Sequence, residues 1–442
     1  MRNLFRPAAR RPWRAIALTA LAAFIPLLLI CYLIHKYAVA VPFLDEWDLV
    51  SLMQAYHSHH LTFGLFWAQH NEHRIIFPRL AFLLLAILSH WNIMLEMIAS
   101  VVIATATVAL ALWLLIKTFG RNAYFVMLGL LTPWIMFSPV QWENWLWGFQ
   151  LAWFMMLLAT VITIWVLTVP PRWLTGGWRP LIIAITTATI ATYSLGSGIL
   201  IWPVVLGLLL LQRRPRLHIM VWVAAAIPLA GAYFIGYQAP ATAYPATLIL
   251  HDPMGFAHHF LTLIGRPLGY DIISSTTIGT ALLLTFIASV WYLASRRQLD
   301  TALPWVGLGS FTLLSSALTS FSRFGAGVNQ AMSSRYYAIT CLFLLSTLVL
   351  SFLATRHYRA TMQFPSLLGP LAATIIIGSL VFNNYFYGVE LMGIEHTTQQ
   401  TAYDCTHAAK TGREDCLTTA FPDKKYVWPR IQFLRNVHWG GF

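Results

Sequence analysis

Apolar runs long enough to cross a bilayer alternate with short basic turns along most of this chain, and polar residues gather into a few segments between them. At about 1.5 Å per helical residue, a stretch of about twenty apolar residues spans the roughly 30 Å hydrocarbon core. The pattern predicts about eleven spans, at 15–35, 92–116, 123–140, 151–169, 180–194, 198–211, 219–237, 276–295, 302–320, 337–354 and 366–382. Those on either side of Ser194-Leu195-Gly196-Ser197-Gly198 are short. The run 77–88, bounded by Pro78-Arg79 and His90-Trp91, is too short to cross and reads as an interfacial helix. The first outer loop, about 36–91, is therefore long, with two membrane-surface helices near 48–57 and 78–88. The fold class is an all-α integral membrane protein, with a polytopic domain at 1–382 and a small outer C-terminal segment at 383–442.

Basic clusters set the orientation. Arg2, Arg6, Arg10, Arg11 and Arg14 precede the first run, which is too long for a secretory h-region and reads as a retained helix with a cytoplasmic N-terminus. Placing Lys117 with Arg121, Arg172 with Arg179, Arg213 with Arg214 and Arg216, Arg296 with Arg297, and Arg356 with Arg359 on that same side leaves a single acid there, Asp300. The C-terminal segment then lies outside the cytoplasm.

Composition agrees with lipid as the solvent: 58% of the 442 residues are hydrophobic and 10% charged, against roughly 25% charged in soluble domains. The net charge of +13 could suggest nucleic acid, but it comes from clusters between apolar runs, so nucleic acid is excluded as a partner. Cys31 and Cys341 lie in spans, whereas Cys405 and Cys416 fall in the outer tail, where an oxidising compartment predicts a disulfide.

The spans carry no buried Asp or Lys of the kind that marks a proton-coupled pump. Candidate chemistry sits in the outer loops. Asp45, Glu46 and Asp48 crowd directly after the first span; like charges this close raise at least one pKa and suit a general base, and equally they suit the start of a helix. In Gln69-His70-Asn71-Glu72-His73-Arg74, and then Arg79, the histidines and Glu72 lack standard metal spacing, and the arginines either grip a phosphate or snorkel at the interface. The next outer turn carries Gln141, Glu143 and Asn144 among Trp142, Trp145 and Trp147, a plausible carbohydrate surface made of the residue type that also forms interfacial belts. Arg323, Arg335 and Tyr336, beside Ser322, Ser333 and Ser334, either hold a phosphate or diphosphate or finish helices.

Asp45-Glu46 after Pro42, Glu143 in the following outer loop, and the 77–88 helix together resemble the GT-C superfamily of polytopic glycosyltransferases. The likeness runs by motif over roughly the first 215 residues and by topology beyond. The short spans around 194–198 are similar to a family segment that often carries Thr-Lys-Gly near the lipid phosphate; the lysine is absent here, which shifts that contact to Arg323 or Arg335. The resemblance implies inverting transfer of a sugar from a polyprenyl-phosphate donor to an extracytoplasmic glycan, lipid or protein acceptor, at a bacterial inner membrane. Asp45, Glu46 and Glu143 would be catalytic, and Arg74, Arg79, Gln141, Asn144, Arg323, Arg335 and Tyr336 would bind substrate. No cofactor follows from the residues, no metal ligand set is assigned, and a divalent cation stays open. No nucleotide-binding loop is present. The rival readings are a flippase or transporter of a lipid-linked saccharide, and an enzyme like an O-antigen ligase or polymerase, in which an early Asp45 would not matter.

Overall fold

A computed structural model describes residues 12–174, 177–240, 243–361, 378–408 and 415–442. Its described residues are helical for the most part, without strands. Six helices are long and apolar enough to cross a membrane: Met94–Phe119, Ala123–Leu146, Gly148–Thr168, Ile272–Ser295, Leu299–Ala326 and Ser334–Arg356. The chain has the helices of an α-helical membrane protein. Eleven spans is therefore more than the helix lengths support. The expected segment at 15–35 lies in the 26-residue helix Pro12–Tyr37, and those at 180–194, 198–211 and 219–237 are the shorter apolar helices Arg179–Thr192, Gly196–Leu211 and Arg216–Ala232. The segment 366–382 falls mostly outside the described residues, as do Arg2, Arg6, Arg10 and Arg11.

A few hydrogen bonds link neighbouring helices in the bundle. Thr163 and Thr187 hydroxyls meet at 2.7 Å, and the Trp305 indole donates to Thr118 Oγ1 at 2.8 Å. Arg214 Nη2 donates to the carbonyl of Leu167 at 2.9 Å, which puts two of the basic turns at one end of the bundle.

The long loop expected at about 36–91 folds into Leu44–Leu49, Val50–His57, Phe63–Trp67 and Ile76–Ser89. The last has 14 residues, a rise of about 21 Å, short of the hydrocarbon thickness. It buries Pro78, Arg79, Phe82, Leu83 and Ala86 on one face and exposes Leu80, Leu84 and Leu88 on the other. Spacing by three and four residues produces that division.

The C-terminal segment packs onto this loop rather than standing apart. Its helices are Gly388–Ala408, Asp415–Thr419 and Lys424–Val437, and a Cys405–Cys416 disulfide joins the first two. Backbone bonds run from Leu44 N–H to Ala420 O (3.0 Å) and from Gly440 N–H to His90 O (2.8 Å), and Gln399 Nε2 donates to Leu146 O at 2.8 Å. The helices Leu248–His251 and Pro253–Gly265 were not expected from the apolar pattern.

Candidate functional site

A cavity of about 570 Å³ lies among the loops that follow the first and third long apolar runs and the ends of the helices beside them. A tight turn builds its acidic wall. His70 and His73 exchange backbone hydrogen bonds at 2.8 Å each, and Asn71 takes the left-handed conformation (φ 48°) that closes the turn. Asparagine tolerates that region better than most residues. The turn sends His70, Glu72 and His73 to the cavity, where they meet Asp45 from Leu44–Leu49.

The acids there are paired with cations. His70 lies between two carboxylates, with Nε2 3.4 Å from Asp45 Oδ2 and Nδ1 3.0 Å from Asp48 Oδ2. Burial alone would lower its pKa, but the hydrogen bonds and charges of Asp45 and Asp48 outweigh burial and push it up to about 9, so His70 is an imidazolium. Glu72 forms an ion pair with Arg323. Burial would raise this carboxyl, and its electrostatic interaction with His73 together with the Arg323 guanidinium holds it below its ordinary value. Burial pushes His73 down to about 4, and its Nδ1 accepts the Gly196 N–H at 3.2 Å, which leaves the proton of the neutral ring on Nε2. Glycine is required at 196, because a Cβ there would lie 2.8 Å from that same Nδ1.

Arg323, Arg335 and Tyr336 line the cavity with Asp45. Arg335 Nε bonds Ser333 Oγ at 3.0 Å and lies 3.6 Å from Glu143 Oε1. Trp147, Phe149 and Trp153 supply aromatic wall, with Phe149 packed on His70 at 4.9 Å between ring centroids.

The other candidate residues lie elsewhere, for physical reasons. Glu46 is buried facing away from the cavity; its oxygens accept the Phe43 and Phe149 N–H groups at 2.9 and 3.0 Å, so it ties the first outer loop to the second. Beside it is Glu96, with Gly148 between: a Cβ at 148 would lie 2.5 Å from Glu96 Oε2 and 2.8 Å from Glu46 Oε1. Glu143 stops short of the cavity and accepts from Ser333, Ser334 and the Arg335 N–H at 3.1, 2.7 and 2.9 Å, so it shapes the turn that presents Arg335. Arg74 is buried and spends its donors on the carbonyls of Tyr233, Trp67 and Ile235, while Arg79 does the same with Phe66 and Ala68. Gln141 donates to Met136 O at 2.7 Å, and Asn144 to Gln141 and to Arg335 O, both at 3.1 Å; these amides hold backbone, not substrate. Trp145, expected on the carbohydrate surface, is fully buried.

Family models, curated proteins and solved structures offer no match to this chain.

The site therefore stands on its own geometry. Glu72, His70 and His73 are the site residues that spacing left unassigned, read only as a weak metal pattern. Among the described residues no group of three or more His, Cys, Asp or Glu side chains is placed to hold a metal ion. Tyr233, Tyr237 and Tyr244, which line the cavity from beyond the short helices, carried no sequence signal beyond ordinary interfacial aromatics.

Proposed function

We propose that this chain is a membrane glycosyltransferase of the GT-C kind, moving a sugar from a polyprenyl-phosphate donor to an extracytoplasmic acceptor with inversion. The observation that carries the reading is one cavity in which the carboxylate Asp45 and the guanidinium groups of Arg323 and Arg335 meet beside aromatic walls. Asp45 would take the proton of the acceptor hydroxyl as its oxygen attacks the anomeric carbon. The bond from that carbon to the phosphate oxygen breaks, and the arginines stabilise the negative charge arriving on the departing lipid phosphate. Trp147 and Trp153 offer flat faces for the pyranose or furanose ring. Leu318 and Phe321, each 38% exposed and lining the cavity, give the polyprenyl chain an apolar approach along Leu299–Arg323. An outer location of the C-terminal segment, at a bacterial inner membrane with the N-terminus cytoplasmic, is supported by the Cys405–Cys416 disulfide, which persists in oxidising compartments.

Asp45→Asn is the decisive variant, because it keeps the shape of the side chain and cannot accept the proton. Membranes containing the protein and undecaprenyl phosphate bearing radiolabelled hexose are expected to lose about 10²–10⁴-fold in transfer. Normal insertion with wild-type transfer in Asp45→Asn would refute the mechanism. Movement of the intact lipid-linked sugar between leaflets, without a product, would replace it with a carrier.

A further inference from the structure

The carboxylate at the centre of this reading is held from outside its own loop. Leu44, directly before Asp45, has φ 46°, a left-handed backbone that a branched residue adopts only when its surroundings impose it. Its N–H is taken by Ala420 O at 3.0 Å, from the C-terminal segment. Asp45 then meets His70, and His70 meets Asp48. The remaining Asp48 oxygen accepts the hydroxyl of Tyr426, again from the C-terminal segment. Arg430 lies over the Tyr426 ring at 3.4 Å and donates to Trp47 O at 3.0 Å, fixing that tyrosine against Leu44–Leu49. Burial alone would raise the Asp48 carboxyl, but its bonds from His70 and Tyr426 outweigh burial and hold it below its ordinary value.

We propose that His70 is a positioning residue for Asp45, and that the docked C-terminal segment, through Tyr426 on Asp48 and Ala420 on Leu44, is a working part of the site. Its catalytic consequence rests on the glycosyltransferase reading; the arrangement of charges does not. The chain Asp45, His70, Asp48, Tyr426 alternates acceptor and donor, so each member has a single favourable orientation. The Asn71 amide nitrogen lies 3.3 Å from Nε2, so a doubly protonated His70 requires that amide to be turned with its oxygen toward the ring. The other groups bearing on His70 are the neutral His73 in the same turn, the Phe149 ring against its face, and Arg79 and Arg430, whose charges act on Asp48. None of these offers Asp45 a second fixed partner, so loss of His70 frees its carboxylate to rotate.

The test uses the full chain in nanodiscs, with histidine nitrogens labelled and His70 assigned by its loss in His70→Gln. Wild-type His70 is expected to remain imidazolium through pH 8, and Asp48→Asn to lower its titration midpoint by about one unit or more. Tyr426→Phe, which removes one oxygen and keeps the ring, is expected to lower it by less. In transfer from undecaprenyl-phosphate hexose, His70→Gln is expected to reduce kcat about tenfold to a hundredfold, and Tyr426→Phe several-fold, with KM for the donor unchanged in both. Titration of wild-type His70 near 6.5, or a Tyr426→Phe protein unaltered in both midpoint and kcat, overturns the proposal. If wild type itself transfers no sugar, the glycosyltransferase reading fails and the titration alone decides the positioning claim.

Discussion

Glu46→Gln tests how the turn at Leu44–Leu49 is joined to the turn at Gly148–Gln150. Burial pushes the Glu46 carboxyl up to about 8 even though two backbone N–H groups, Phe43 and Phe149, bond its oxygens and favour the ionised form. An acid whose folded pKa exceeds its unfolded one weakens the fold as pH rises: the unfolded chain releases the proton from about 4.5 upward, whereas the folded chain keeps it until about 8. At about 1.4 kcal/mol per pH unit the full difference is at most about 5 kcal/mol, of which about 4 kcal/mol falls between pH 5 and pH 9. Glutamine removes that dependence and leaves one of the two N–H groups without an acceptor, at a constant cost of about 1 kcal/mol. The two proteins are therefore expected to be about equally stable near pH 5 and the variant clearly the more stable near pH 9. Equilibrium unfolding in mixed micelles, followed by tryptophan fluorescence across that range, reads the divergence. His70 loses its own stabilisation as pH rises through about 9, but it does so in both proteins and cancels in the comparison. Parallel curves for the two proteins would show that the Glu46 carboxyl is ionised in its buried site, and the reasoning would fail.

Arg323→Ala and Arg335→Ala should each weaken donor binding or turnover about tenfold to a hundredfold, since charge-assisted contacts to an oxyanion contribute about 1.5–3 kcal/mol. Arg323→Ala should be the more severe because it also leaves Glu72 without its cation; donor titration with normal constants in both variants would remove the phosphate site from the cavity. Reduction of Cys405–Cys416, or Cys405→Ser with Cys416→Ser, is expected to lower stability by about 3 kcal/mol. A melting temperature indifferent to reductant would show that the crosslink does not hold the C-terminal segment.

Much of the architecture follows from the sequence because lipid imposes a simple rule: a span must be apolar for about twenty residues, and its turns must carry the charge. The six long helices, the short apolar helix at Ile76–Ser89 and the acidic cluster after the first apolar run all follow from counting. The division of roles within that cluster does not. Asp45 and Glu46 are neighbours in a 3₁₀ turn, where successive side chains point about a third of a turn apart, so one faces the cavity and the other the buried seam at Gly148. Spacing gives the arginines no better distinction: Arg74 is consumed by carbonyls at Tyr233 and Ile235, whereas Arg323, 251 residues beyond Glu72, arrives as its counter-ion. Glu143 is an acid at the expected place whose acceptor capacity goes to the Ser333-Ser334-Arg335 turn. The sequence sets which residues can afford to leave lipid, through transfer energies that depend on one residue at a time. Which of them meet is set by contacts between segments far apart in the chain, such as Arg323 with Glu72 and Tyr426 with Asp48, and those exist only in the folded protein.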